Sequence, residues 1–505
     1  MQTLDLVIIF GYLIGITLFG VLYSGKQETT ADYFVGDRSV PWWAIAMSIV
    51  ATETSTITFI SVPGIAFAKN GNFEFLQLVF GYMLGRIVIS MLFIPMYFKG
   101  ELFTVYQLLG DRFGNKVKML ASSLFVVMRN IADGIRLLLT AIVLAAVYTA
   151  FVPDSNPNTI IIGSIVLLGV VMIIFTFYGG MEAVIWVEVV QLAIYIGGAV
   201  AAAVVILNQI DGGMTQVLSV GSQFNKFQFL DFSLNLTKTY TFWGGLIGGC
   251  FLTMSTHGTD QYLVQRYLCT NKPSAASVAL LSSGAVILGQ FIGFLFIGVL
   301  LFAYYHPFDL PQYAQLGTPG SQLPLTFPFT GGDQVFPDFI TKHMPSGLSG
   351  LVVAAIFAAA LSSSLNSIAA TAVNDLYRPF ARDKSDRHLL RVASVLTVIV
   401  GIVQIAVAIA VKDAGQSALN QALSVAGLIN GPILGVFLVG TFIKRAGQIA
   451  ALAGMAVSIG LMLYLYFGTK IAFPWYPVVG SLTTLAVAFV TSFFFARETN
   501  EVIND

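Results

Sequence analysis

Ala51-Thr52-Glu53-Thr54-Ser55-Thr56-Ile57-Thr58 places one carboxylate and five hydroxyls midway along an otherwise apolar run, 41–67, in which Pro63 and Gly64 follow. A polar group at membrane depth is costly, so each one there is a functional candidate; the competing role is to glue helices together. Unwound backbone near the midplane frees carbonyls to coordinate a cation, while hydroxyls hold a polar solute. The Pro63-Gly64 pair is expected to disturb this helix.

The surrounding chain supports a membrane setting. Of its 505 residues, 56% are hydrophobic and 10% charged, against about 25% charged in soluble domains. So little charge cannot cover a water-facing surface, and a lipid bilayer becomes the main solvent. Lys plus Arg balance Asp plus Glu at 25 each, which argues against a nucleic-acid partner. Two cysteines make no disulfide framework, and four histidines are scattered without metal-ligand spacing. No basic residue precedes the first apolar run, so that run reads as a retained helix rather than a signal peptide. No HExxH, nucleophile elbow or phosphate loop is present, and an enzyme is not expected.

Working outward gives thirteen apolar spans, at 4–24, 41–67, 73–98, 119–151, 158–178, 182–208, 241–265, 276–304, 346–373, 389–411, 419–443, 447–469 and 474–496. With the N-terminus outside, the inside loops hold sixteen Lys and Arg and the outside loops six. That asymmetry predicts a cytoplasmic C-terminus. The long outside loops, about 209–240 and 305–345, suit short surface helices or gate covers.

A second interrupted run, Gly244-Gly245-Leu246-Ile247-Gly248-Gly249 and then Ser255-Thr256-His257-Gly258-Thr259-Asp260-Gln261, lies in the other half. Two broken segments in corresponding positions point to an inverted-repeat transporter. One transmembrane domain over 1–505 follows: an extra helix at 4–24, a first repeat over 41–208, the segment 241–469 that holds the second repeat in spans seven to eleven and span twelve after it, and an extra helix at 474–496. Ala358-Ala359-Ala360-Leu361-Ser362-Ser363-Ser364-Leu365-Asn366-Ser367 adds hydroxyls suited to a hard cation. In span four, Arg129, Asp133 and Arg136 share a face. Their surplus positive charge either receives an anionic solute group or serves a carboxylate such as Glu53 or Glu188. Glu188 itself reads as a cation ligand, a proton carrier or an arginine partner, and Glu74 and Gln77 begin span three near the same depth.

The run Tyr178-Gly179-Gly180-Met181-Glu182-Ala183-Val184-Ile185-Trp186, with Glu188 and Gln191, resembles the signature of the sodium:solute symporter family. Thr104–Leu109 leading to Arg112-Phe113-Gly114, Asp260–Arg266, Ser362–Ser367 and Gly431–Gly435 extend the likeness from about residue 5 to 496. The resemblance implies an all-α polytopic membrane protein with a five-helix inverted-repeat, leucine-transporter-like core and about thirteen transmembrane helices. It also implies an inner (plasma) membrane location, a monomer or weak oligomer, and alternating access with sodium ion as the coupling ion and a small-molecule solute as passenger. The implied sodium ligands are the carbonyls of Ala51, Thr54 and Ile356 and the side chains at 359 and 360. Here those two are Ala359 and Ala360, where the family has Ser or Thr, so no hydroxyl is available. A second sodium site matches Glu188, in place of an aspartate, with Ser362 and Ser363. Three readings stay open: sodium bound with fewer or shifted ligands, a proton carried by Glu53 or Glu188, and uncoupled facilitation. Implied solute contacts are Ser55, Thr58, Gln77 and Arg136 or Arg129, with Glu53 beside them. They suit a polar organic solute with a carboxylate, such as sialic acid, or a sugar.

Overall fold

The computed structural model describes residues 1–23, 34–35, 38–100, 102–152, 156–178, 181–305, 332–361, 364–381, 383–412 and 418–495. These are helical with no strand among them. The chain runs through α1 (Thr3–Tyr23), α2 (Trp42–Glu53), α3 (Thr56–Phe67), α4 (Leu76–Leu92), α5 (Asn115–Phe151), α6 (Pro157–Tyr178), α7 (Met181–Asn208) and the short α8 (Gly213–Gln223). A wide π turn at Gly244–Gly248 leads into α9 (Gly249–Gly258) and α10 (Gln261–Leu268), then α11 (Pro273–Tyr305). After α12 (Val335–Lys342) come α13 (Leu348–Leu361), α14 (Leu365–Thr371), α15 (Asp386–Val411), α16 (Ala418–Phe442), α17 (Gln448–Gly468) and α18 (Trp475–Thr491).

Length and apolarity decide which of these can cross a bilayer. Among the described residues α5, α6, α7, α11, α15, α16 and α17 do so alone, and α2 with α3 forms a further span bent by 57°. The helices α1, α4, α13 and α18 contain shorter apolar stretches. Exposed Leu, Ile, Val and Phe stud their outer faces, among them Phe10, Leu167, Val200, Ile402 and Phe467, as expected where lipid tails replace water.

The 41–67 span breaks at Thr54–Ser55, not at Pro63-Gly64. Pro63 is buried inside α3, and the helix runs past it to Phe67. The earlier break follows from the hydroxyl run. Thr52 donates to the Ser48 carbonyl at 2.8 Å, Thr54 to Val50 at 2.6 Å and Thr58 to Glu53 at 2.6 Å. Such side chains compete with backbone N–H groups for carbonyls and loosen a helix where they cluster. The 346–373 span is likewise not one regular helix, because α14 passes into a π turn at Ala372–Tyr377.

Packing sets the two broken segments side by side. The α2 half lies on α7 and α11, α3 lies on α11, and α9 lies on α4. Backbone meets backbone at the α4–α9 contact: a Cβ on Gly81 would sit 2.2 Å from the Gly245 carbonyl oxygen, and one on Gly249 2.5 Å from that of Leu78. Small residues permit this approach, which brings the second break against the scaffold beside the first.

Candidate functional site

At the first break Thr54 leaves helical geometry (φ −80°, ψ 47°) and Ser55 is extended. Among the described residues no backbone N–H bonds to the carbonyls of Ala51 or Thr54. Those oxygens are therefore unspent, as a cation site requires. At the second break α9 stops at Gly258, and Asp260 caps α10 by accepting the Tyr262 N–H at 2.9 Å.

Between the breaks lies a cavity of about 170 Å³. Thr52, Glu53, Ser55 and Thr58 come to it from the first broken segment; Thr256, His257, Asp260 and Tyr262 come from the second. Arg129 and Arg136 reach it from α5, and Phe75, Tyr82 and Phe291 give it apolar walls.

Its charges are paired. Glu53 forms an ion pair with Arg86 and lies 3.1 Å from His257 Nε2, so the carboxylate ties the end of α2 to the end of α9. Arg129 pairs with Asp260 at 2.6 Å. Arg136 stands 3.5 Å from Asp133 and donates to the Tyr262 hydroxyl at 3.3 Å, while Ser364 bonds the other Asp133 oxygen. The Tyr262 ring faces Arg129 at 4.5 Å, Arg136 at 5.7 Å and Arg266 at 4.6 Å. An aromatic face attracts guanidinium groups and holds them in a fixed arrangement. The Nε atoms of Arg129 and Arg136 are buried without a hydrogen-bond partner, which leaves donors for an incoming acceptor.

The expected residues are distributed unevenly. Ser55, Thr58, Glu53 and Arg136 line the cavity, together with Arg129. The second arginine of span four is met by a carboxylate from the other half, Asp260 rather than Glu53 or Glu188. Gln77 is not in the lining: its amide donates to the Glu74 carbonyl at 3.1 Å, and its oxygen accepts the Asp231 N–H at 2.7 Å. The segment 209–240 thus takes the oxygen end of that side chain, and the turn just before α4 takes the nitrogen end. Glu188 is also elsewhere: its carboxylate binds Arg266 and Ser48 and accepts from Thr52 at 3.3 Å. Of its three readings, the arginine partner is matched by the Arg266 contact. The Ile356 carbonyl is buried and accepts from Thr56 at 3.2 Å. Ala359 continues the α13 backbone, and Ser362 and Ser363 lie outside the described residues.

Sequence reasoning missed the roles of Arg86, His257, Asp260 and Tyr262. The signals were present: Arg86 is a charge inside the apolar span 73–98, His257 and Asp260 belong to the polar run 255–261, and Tyr262 follows it directly. Only the packing of α4, α5 and α9 shows that they converge.

The sequence profile of the sodium:solute symporter family matches residues 33–458. The chain belongs to that family. It is 33% identical to the sodium/sialic acid symporter NanT of Aliivibrio fischeri (strain ATCC 700601 / ES114), over 99% of this chain and 94% of the other. It is 31% identical to the sodium/sialic acid symporter SiaT of Proteus mirabilis (strain HI4320), over 97% and 95%. A solved sodium-coupled sialic acid symporter in a substrate-bound, outward-open state superposes with a TM-score of 0.82 at 30% identity, covering 98% of this chain and 99% of that one. The molecule is thus a sodium-coupled secondary transporter of the bilayer and not an enzyme. Its helices carry a solute with sodium ion as the coupling ion.

Proposed function

We propose that this symporter moves a carboxylate-bearing polar solute of the sialic acid type, by alternating access around the 170 Å³ cavity. One observation carries the reading: two arginines with free Nε donors share that cavity with the hydroxyl residues Ser55 and Thr58. A carboxylate fits the guanidinium groups, and hydroxyl or amide groups of the solute fit the threonine and serine oxygens. The names of the two bacterial relatives support the same solute class.

On this reading the thirteen spans form two five-helix repeats within 41–208 and 241–469, flanked by α1 and the last helices. Sodium uses the carbonyls of Ala51, Thr54 and Ile356, and Ala359 offers backbone alone. The N-terminus lies outside and the C-terminus in the cytoplasm of a bacterial inner membrane, and the chain works as a monomer or weak oligomer. A larger chamber of about 770 Å³, lined by Asn70, Asn72, Lys238, Tyr240 and Asn420, then opens outward above the cavity.

The test is a solute panel in proteoliposomes with sodium and proton gradients imposed separately. N-acetylneuraminate, simple monocarboxylates, neutral hexoses and amino acids are offered in turn. Sodium-driven uptake confined to carboxylated solutes supports the reading. Preference for a neutral sugar, or uptake of carboxylates with a proton gradient alone, contradicts it.

A further inference from the structure

Ala359 and Ala360 leave the family's sodium position without two hydroxyl oxygens. A coupling ion in this chain needs replacements, and the structure holds candidates within reach of the same carbonyl. Thr56 Oγ1 lies 3.2 Å from the Ile356 carbonyl oxygen, and Thr140 Oγ1 lies 3.2 Å from Thr56 Oγ1 and 3.1 Å from the Arg136 carbonyl. Thr56, Thr140 and Ile356 are each 0% exposed. The Tyr195 hydroxyl sits beside Thr56 and Gln191, buried and without a well-formed hydrogen bond.

From this we infer that sodium binds in a site completed by the hydroxyls of Thr56 and Thr140, with Tyr195 beside them, in place of the missing side-chain oxygens at 359 and 360. A hard cation takes oxygen ligands at roughly 2.4 Å, so neighbouring ligands around it stand about 3.4 Å apart. The Thr56–Ile356 and Thr140–Thr56 oxygen separations, 3.2 Å each, are close to that spacing. Small hydroxyl rotations turn the two threonine protons outward and present their lone pairs.

Besides the carbonyls of Ala51 and Thr54 at the end of α2, the groups come from four helices: Thr56 from α3, Thr140 from α5, Tyr195 from α7 and Ile356 from α13. Sodium there ties the segment just past the first break to three other helices. It also explains coupling. Thr56 stands between the cavity residues Ser55 and Thr58, and Thr140 sits one turn beyond Arg136, to whose carbonyl it bonds. An ion that fixes these two threonines fixes the groups that meet the solute, and by reciprocity the solute tightens sodium.

The experiment needs no solute, so its outcome is separate from that of the panel above. Purified protein in detergent is melted over a sodium series at constant ionic strength, with potassium as the balancing ion. Sodium raises the melting temperature of the parent chain. The half-saturating sodium concentration rises about tenfold in Thr140→Val and in Thr56→Val, stays near the parent value in Thr140→Ser, and recovers in Thr140→Val carrying Ala359→Ser and Ala360→Ser. Thr140→Ala replaces the valine variant if that one does not fold. Unchanged half-saturation in both Thr56→Val and the Thr140 variant overturns the site. So does a parent chain that sodium stabilises no more than potassium.

Discussion

Glu188 and Arg266 face each other in a place almost without water, the side chains 1% and 0% exposed. Removing one partner of such a pair strands a buried charge and costs about 3–5 kcal/mol, whereas removing both costs far less. Glu188→Gln should therefore lower the melting temperature sharply in the absence of sodium, and adding Arg266→Gln should restore much of it; additive losses would show that the two act separately. Arg136 is paired as well, with Asp133 at 3.5 Å, yet its Nε is a buried donor with no partner. Arg136→Ala should weaken anionic solutes at least about tenfold, which is about 1.4 kcal/mol, and neutral ones little. Binding competition against a radiolabelled solute measures both, and equal losses would make this arginine structural. The residue scale is also where the sequence was least legible. That Glu53, Ser55, Thr58 and Arg136 are unusual in apolar runs is visible in the string. That Glu188 meets Arg266, 78 residues away, and that Arg129 meets Asp260, 131 residues away, is a property of packing.

Helix interruptions were easier to read, since their causes are local. Clustered Thr and Ser at 52–58 and the glycines of 244–258 mark both broken segments. The misplaced detail is Pro63, which α3 absorbs while the hydroxyls nine residues earlier do the breaking. Gly81 supplies a test at this scale. Its missing Cβ admits the Gly245 backbone, so Gly81→Val should cost about 1–3 kcal/mol through overpacking and should depress the yield of monodisperse protein, whereas Gly293→Ala, where a Cβ meets nothing, should not. Lys226, in the loop after α8, is another element-scale feature. Its ammonium reaches the carbonyls of Ala66, Phe67, Ala68 and Lys69 at 2.5–3.4 Å, capping the end of α3, and lies 4.0 Å from the Phe302 ring centre. Burial pulls its pKa down to about 7. Below that pH the folded chain carries a costly buried charge; between about 7 and the unfolded lysine value the unfolded chain binds more protons. Stability should accordingly rise with pH across that window, by up to about 1.4 kcal/mol per unit. Lys226→Met should flatten the dependence of melting temperature on pH between 7 and 9, and an unchanged slope would remove Lys226 from it.

At the scale of the whole molecule, hydropathy made the membrane class legible, because long apolar runs and scarce charge have few other solutions. The cavity was not legible, since it exists only where the ends of α2 and α9 meet across α4 and α5. The central claim is that these two breaks jointly enclose the solute. Replacing the buried Cys250 and Cys269 and introducing Ser55→Cys with Thr256→Cys places one thiol on each segment, both in the cavity lining. A short bifunctional thiol reagent should cross-link them within one chain, and sodium with N-acetylneuraminate should protect them. Failure to cross-link, with both thiols instead labelled from the lipid phase, would contradict the account.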